Sequence, residues 1–403
     1  MNYDAIVVGA GPSGSTSARL LADEGASVLM LDRKAFPRDK PCGGGVTLRA
    51  AAVPGIDLSP IIEQTIYGAR FSLRMGPSFD RRFDKPLTYM TQRKRLDAYL
   101  AECAAEAGAD FHDDEPVREI ELDASDRLTV RTARDAYTSR VLIGADGANG
   151  LVGKAVGLRR DAEEAVAFEG NVAATDRMLD DWREYVGMDL GDTAGGYGWV
   201  FPKGDHLNVG VGAWKYAGFT LRPKLARLSR RYDFDADALE NLRGHHLPVR
   251  RPGTPIARGR VAVVGDAAGL VDPLSGEGIH MAFASARLAA DATLHVLRER
   301  RSDMLSYQES VDRELQPELN VSRQLQELFH FAPPPYLAMM QRSGKFWHFF
   351  CYLIRGDLTY LDFIRMIGPV RHAVDAFAAI ARNRREARVA AGERMFAANG
   401  ASA

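Results

Sequence analysis

The chain has 403 residues, of which 46% are apolar and 26% charged, a balance that supports a large folded interior and excludes a disordered chain. Its 52 Lys and Arg offset 53 Asp and Glu to a net charge of -1, which gives no electrostatic ground for a nucleic-acid partner. Three cysteines, Cys42, Cys103 and Cys351, stand at unrelated spacings, which argues against a disulfide framework or a metal set and for a reducing compartment. With no run of about 18 apolar residues and a first segment that reads as a core strand, a cytoplasmic protein of two interlocked domains is expected.

Residues Asp4 to Val8 form a short apolar run fit for a strand buried on both faces, and the run breaks at Gly9-Ala10-Gly11-Pro12-Ser13-Gly14. Between a strand and a helix these glycines have separate uses. Gly9 permits the tight turn, Gly11 lets backbone amides approach a pyrophosphate, and Gly14 lets the helix pack closely, with the anion at its N-terminus. That helix is expected to bury Ala18, Leu20 and Leu21. A second apolar run, Ser27 to Leu31, ends on Asp32, at the distance where an acid hydrogen-bonds an adenosine ribose.

A basic, turn-rich loop follows and carries Lys40-Pro41-Cys42-Gly43-Gly44-Gly45. From Ile66 to Tyr89, alternation predicts short antiparallel strands broken at Gly76-Pro77 and Lys85-Pro86. An amphipathic helix comes next, with Leu96, Leu100, Cys103 and Ala107 on one face. A meander turning at Ala124-Ser125-Asp126 leads to a buried strand before Gly144-Ala145-Asp146-Gly147. Strands dominate from Ala165 to Val211, helices are expected near Leu221 to Tyr232 and Ala236 to Leu242, and Arg260 to Gly269 repeats the strand-then-glycine pattern. The last third reads as helical: Gly278 to Arg298, then Met304 to Phe331 interrupted at Pro317, then the aromatic stretch Lys345 to Tyr352. The expected division is 1–65, 90–165 and 255–300 as a discontinuous nucleotide-binding domain, 66–89 and 166–254 as a sheet-based substrate domain, and 301–403 as a helical C-terminal region.

Three turns, Gly9 to Gly14, Gly144 to Gly147 and Gly265-Asp266-Ala267-Ala268-Gly269, resemble in order and spacing the flavoprotein superfamily of the para-hydroxybenzoate hydroxylase type. The resemblance implies an α/β fold: a Rossmann-like FAD-binding domain, an inserted antiparallel-sheet substrate domain and a C-terminal helical region. It implies FAD, with its pyrophosphate at Gly9, Gly11 and Gly14 and near Arg93, its adenosine ribose at Asp32 beside Arg33, and its ribityl chain at Asp266 after Gly265. Asp146 falls in the turn that lies between the cofactors in that superfamily. Read without the resemblance, Asp266 would simply cap the next helix and Arg93 would be a surface charge. The last turn continues through Pro273, Gly276 and Gly278 into a helix whose amides and positive end would stabilise reduced flavin, although a proline there also reads as a plain stop.

Two segments resemble the geranylgeranyl reductase family specifically. Gly195 to Gly212 matches its tyrosine-x-tryptophan-x-phenylalanine-proline segment through Tyr197, Trp199, Phe201 and Pro202, and Lys40 to Gly45 falls where that family has a lysine-x-cysteine-glycine turn near the flavin. The resemblance implies reduction of carbon-carbon double bonds of a prenyl (geranylgeranyl-type) substrate by hydride from flavin N5, with NADPH or another reductant as transient electron donor. Tyr197, Trp199 and Phe201 would wall the apolar substrate pocket, or else form an ordinary sheet core. Cys42, Trp199 and Tyr197 are the candidate catalytic residues; Cys42 reads either as a proton source near the flavin and part of its site, or as a small buried apolar residue.

The alternative is an FAD-dependent monooxygenase that hydroxylates a small molecule or a protein side chain through a flavin C4a-hydroperoxide, and it shares every cofactor motif. A non-enzymatic FAD protein is a third class. A halogenase is disfavoured, because Tyr197 and Phe201 replace the first Trp and the Ile of that branch's Trp-x-Trp-x-Ile-Pro segment. The C-terminal aromatics, followed by Arg382, Arg384, Arg385 and Arg388, predict either a helical cap or peripheral contact with the inner face of a membrane.

Overall fold

Asn2–Val8 forms a strand whose Ala5, Ile6 and Val7 are fully buried, as a run apolar on both faces requires. In the computed structural model, which describes residues 2–122, 127–158 and 161–400, this strand lies inside a sheet ordered Ala257–Arg258, Val261–Val263, Ala136–Gly144, Asn2–Val8, Val28–Leu31 and Asp110–His112. The pairings from Val261–Val263 to Asp110–His112 are parallel, and Leu128–Arg131 and Glu119–Leu122 branch antiparallel from Ala136–Gly144. The expected turn at Ala124-Ser125-Asp126 lies outside the described residues, as do the side chains at 370, 373, 388 and 390–400. The helices Pro12–Asp23, Arg93–Glu106 and Ile279–Leu297 pack together beside this sheet. Ala18 and Leu21 are buried as expected, whereas Leu20 is half-buried at the edge of the helix face. In Arg93–Glu106 the buried face holds Arg93, Leu96, Asp97, Leu100, Ala101 and Ala104; Cys103 and Ala107 are half-buried, because the ion-paired Arg93 and Asp97 rotate the inward stripe.

A second sheet runs Glu240–Arg250, Ala162–Ala173, His206–Trp214, Tyr197–Pro202, Tyr185–Leu190, Gly68–Leu73 and Ser78–Arg82. It is antiparallel except where Tyr185–Leu190 meets Gly68–Leu73. A register shift between Glu169 and Asn171 bulges the long strand, and Glu169 there is buried against the Cys42 turn. A small sheet of Gly45–Thr47, Thr88–Met90 and Gln64–Ile66 anchors the segment that follows that turn.

Two expectations are corrected. Ala236 to Leu242 is not a helix: it bends into the strand Glu240–Arg250, whose ladder with Ala162–Ala173 outweighs local helix preference. The interruption expected at Pro317 falls at Leu315, between the helices Leu305–Glu314 and Gln316–Phe331, and leaves Pro317 in the first turn of the second.

The helices Pro333–Arg342 and Gly344–Arg355 cover the second sheet. Trp347 and Cys351 are buried with Phe71 and Phe83, and Trp347 Nε1 donates to the Arg82 carbonyl at 2.9 Å, so this aromatic stretch is a packed cap. Arg385, one of the arginines read as part of either a helical cap or a membrane contact, is largely buried and pairs with Glu163 at 2.5 Å and Glu327 at 2.6 Å, because burying the carboxylates calls for a cation beside them. Among the described residues no helix is long and apolar enough to cross a membrane.

Candidate functional site

Gly9 has φ +103°, and a Cβ there would lie 2.4 Å from the Ala145 carbonyl oxygen; at Gly14 it would lie 1.7 Å from the Gly9 oxygen. Both positions require glycine. Asp32, at the end of Val28–Leu31, is buried and accepts the Ala10 N–H at 2.9 Å. Arg38 bridges Asp32 at 3.2 Å and Asp97 at 2.7 Å, and Arg93 clamps Asp97 at 2.7 and 2.8 Å. A Cβ at Gly11 would meet the Nη2 atoms of Arg38 and Arg93 at 3.6 and 3.8 Å, so two guanidinium groups flank the turn where the helix Pro12–Asp23 begins. Such a set of donors could hold a phosphate group. Arg93 is a buried charge and not a surface one. Asp146 accepts the Leu151 and Val152 amides at 2.6 and 2.9 Å, leaving Oδ1 buried without a partner; burial raises its pKa against those bonds and the charge of exposed Arg33.

At the third turn, Gly265 has φ +55° and Asp266 pairs with Lys40 Nζ at 3.1 Å and His245 Nε2 at 3.5 Å. Burial opposes ionisation of Asp266, but Lys40 and His245 overcome it and hold the carboxyl far below the usual range. Asp272 organises the following loop by accepting the Leu274 and Ser275 amides at 3.0 and 2.8 Å and the Ser322 hydroxyl at 3.0 Å. Tyr197 donates its hydroxyl to the Ser275 carbonyl at 2.5 Å, which ties the second sheet to this loop. Pro273 and Gly276, with φ +71°, follow the loop around, and Gly278 precedes the helix Ile279–Leu297 with its Cβ direction 3.2 Å from Asp266 Oδ1.

The Cys42 turn is held by two buried ionisable side chains, Glu169 and Lys203. Glu169 accepts the Cys42 N–H at 2.7 Å, Cys42 Sγ accepts the Gly44 N–H at 3.3 Å, and Lys203 Nζ donates to the Gly43 carbonyl. Burial pushes the Glu169 carboxyl up to about 7 and pulls the Lys203 ammonium down to about 8. Over the same turn lies the strand Tyr197–Pro202, whose Tyr197, Trp199 and Phe201 share one face. Trp199 Nε1 donates to Asn208 Oδ1 at 2.8 Å, and Phe201 comes within 2.7 Å of a Cβ placed on Gly43.

Every site residue expected from the sequence lines one cavity of about 1040 Å³, except Gly14 and Gly265, which are buried beneath turns that do. Sequence reasoning missed Arg38, Asp97, Glu169, Lys203 and His245. A signal existed for Asp97, four residues after Arg93 on a helix, and for Lys203, directly after Pro202. At one end of the cavity stand the glycine turns and their charges; at the other, Leu325, Phe329, Tyr336, Met340, Phe346 and Phe350 enclose an apolar chamber.

A strand-glycine-helix cradle flanked by guanidinium groups and continuous with an apolar chamber defines a dinucleotide-dependent flavoprotein. The FAD binding domain family matches residues 2–188. The chain is 31% identical over 357 residues to the chloroplastic geranylgeranyl diphosphate reductase of Nicotiana tabacum, covering 83% of this chain and 76% of that one. It is 32% identical over 314 residues to the menaquinone reductase of Mycobacterium tuberculosis, covering 72% and 76%. The crystal structure of a geranylgeranyl bacteriochlorophyll reductase-like protein of Thermoplasma acidophilum superposes with a TM-score of 0.73 at 25% identity, covering 82% and 88%. The chain belongs to the geranylgeranyl reductase family of FAD-dependent oxidoreductases, and FAD is its cofactor.

Proposed function

We propose that this chain reduces carbon-carbon double bonds in the prenyl tail of an apolar substrate, with NADPH or another reductant as electron donor. The observation that carries this reading is the continuity of the dinucleotide cradle with an apolar chamber walled by Tyr197, Trp199 and Phe201. FAD held here and reduced by that donor would supply the hydride for one alkene carbon. The turn Gly9 to Gly14, with Arg38 and Arg93, would hold the pyrophosphate, Asp32 the adenosine ribose, and Asp266, fixed by Lys40, the ribityl chain. Arg33 and Asp146 border the cradle, and the loop through Pro273, Gly276 and Gly278 brings the start of the helix Ile279–Leu297 to the cavity, where its positive end favours negative charge. Trp199 and Phe201 exclude water. Tyr197, with its hydroxyl committed to Ser275, positions the loop. Cys42 Sγ holds the proton for the second alkene carbon, on a turn kept rigid by Glu169 and Lys203.

In this reading the nucleotide-binding parts 1–65, 90–165 and 255–300 carry FAD, while 66–89 and 166–254 with the helices after 300 carry the tail. Peripheral membrane contact belongs to the same reading, supported by exposed Phe331, Met366, Phe377 and Ile380 on the C-terminal helices. Anaerobic photoreduction of the holoprotein followed by a prenyl substrate tests the chemistry. Flavin reoxidation without air, with two hydrogens gained in the tail, is expected; reoxidation by air alone with oxygen inserted selects the monooxygenase.

A further inference from the structure

We propose that the tail taken by the apolar chamber is carried on an uncharged head, as in a prenylated quinone or a neutral prenyl lipid, and not on a free diphosphate; this rests on the prenyl-reducing reading above. A diphosphate brings several negative charges, and proteins that hold one supply Arg or Lys side chains or free amides at a helix start. The chamber supplies neither. The lining cations Arg33, Lys34, Arg38, Lys40 and Arg93 stand at the dinucleotide end, around Asp32, beside Gly11 or on Asp266, and Arg118 lies on the segment that follows Glu115, whose amide bonds the Asp32 carbonyl. The remaining lining arginine, Arg49, is matched by Glu277 at 2.9 Å and stacked over the Tyr360 ring at 5.7 Å.

From Leu325 to Val374 no Lys or Arg is among the lining residues described. The ionisable base there is His330, which burial holds neutral with a pKa near 4, so it offers no cation at physiological pH. Three helix starts at the chamber have amides that are missing or already taken, and in Tyr360–Met366 Glu318 takes the Tyr360 and Leu361 amides at 2.9 and 3.1 Å. Pro333, Pro334 and Pro335 have no N–H to give, and in Gly344–Arg355 the Ser343 hydroxyl already takes the Phe346 amide at 3.2 Å. Outward of the lining, Phe331, Met339, Met366 and Phe377 are exposed within three residues of His330, Met340, Phe363 and Val374. The head that accompanies a tail seated here therefore meets apolar lining inside the chamber, and Arg384, 5.0 Å over the Phe331 ring, only outside it.

The test uses the FAD holoprotein and three ligands of equal tail length in one non-ionic detergent: geranylgeranyl diphosphate, geranylgeraniol, and a menaquinone with a four-isoprene tail. Binding is read from tryptophan and flavin fluorescence of the oxidised protein, and tail reduction by mass spectrometry after anaerobic reduction. The alcohol and the quinone should bind at least about ten-fold more tightly than the diphosphate, and their tails should gain hydrogen. Diphosphate binding as tight as that of the neutral ligands, or tighter, overturns the inference. Preferential binding of the neutral ligands without reduction of any tail leaves it standing and removes the prenyl-reducing reading instead. Binding of none of the three overturns both.

Discussion

Trp199 keeps its place because residue 210 has no side chain: a Cβ there would lie 2.0 Å from the indole Cζ2. Gly210→Ala must displace the ring or the strand His206–Trp214, at an overpacking cost of about 1–3 kcal/mol. The expected outcome is a lower Tm and a KM for the prenyl substrate raised about ten-fold, with FAD content unchanged, since no FAD-side turn touches residue 210. Wild-type Tm and KM in this variant would mean that the indole is not wedged. Glu169 makes a pH-dependent prediction. Burial moves its pKa from the ordinary 4.5 to about 7, against the Cys42 amide and Lys203. Between those values the folded protein keeps a proton that the unfolded chain has lost, so stability falls as pH rises through that window and levels off above it. Glu169→Gln can still accept the Cys42 N–H but does not titrate. Its Tm should gain on wild type from pH 5 to pH 8, by an amount corresponding to about 1–3 kcal/mol. A pH-independent difference would refute the buried neutral acid.

At the scale of elements, the helix Gly344–Arg355 shows how separate cores divide the work. Trp347 is 1% exposed and stacks on Phe350, while Phe346 and Phe350 on either side line the chamber. Trp347→Ala should cost about 3–5 kcal/mol in the second-sheet core and impair turnover of long tails. FAD should stay bound, because the cradle rests on the other cluster, around Ile6, Leu29 and Ile143. Loss of FAD together with turnover would contradict that separation. The three glycine turns were legible in the sequence because their requirement is local: a positive φ at Gly9 and Gly265, or backbone contact at Gly14. The strand Glu240–Arg250 was not legible, since Gly244, the adjacent His245 and His246, and Pro248 break any alternation and its partner residues lie 69 (Asn171 to Glu240) to 88 (Ala162 to Arg250) positions earlier. With that strand went His245 and its contact with Asp266. Glu169 and Lys203 stayed hidden for the same reason, as charges that become buried only once distant strands pair. The aromatic helix was readable as amphipathic, but nothing local says that Trp347 and Cys351 face a sheet.

Across the whole molecule, the helix Arg371–Gly400 is fastened to the rest by charge. Arg385 pairs with Glu163 and Glu327, Arg323 also pairs with Glu163, and both guanidinium groups lie over the Trp214 ring, at 5.1 and 5.8 Å. Glu163 stays ionised below the usual range because the two arginines outweigh its burial. Arg385 is therefore spent inside the fold, and the membrane contact proposed above rests on the outward side chains. Met366 and Phe377 are 66% and 56% exposed, and Arg384 lies 5.0 Å above the ring of exposed Phe331. Apolar groups of this kind insert at the headgroup boundary, with a neighbouring cation adding a salt-sensitive part. The full-length protein should float with anionic liposomes at low salt and partly dissociate as salt rises. Met366→Ser combined with Phe377→Ser should abolish flotation at either salt, while detergent-solubilised substrate is still reduced, because neither residue lines the cavity. If the double variant floats as wild type does, these side chains are not the contact. If it stays off liposomes and also fails in detergent, the two residues support the chamber and not a membrane face.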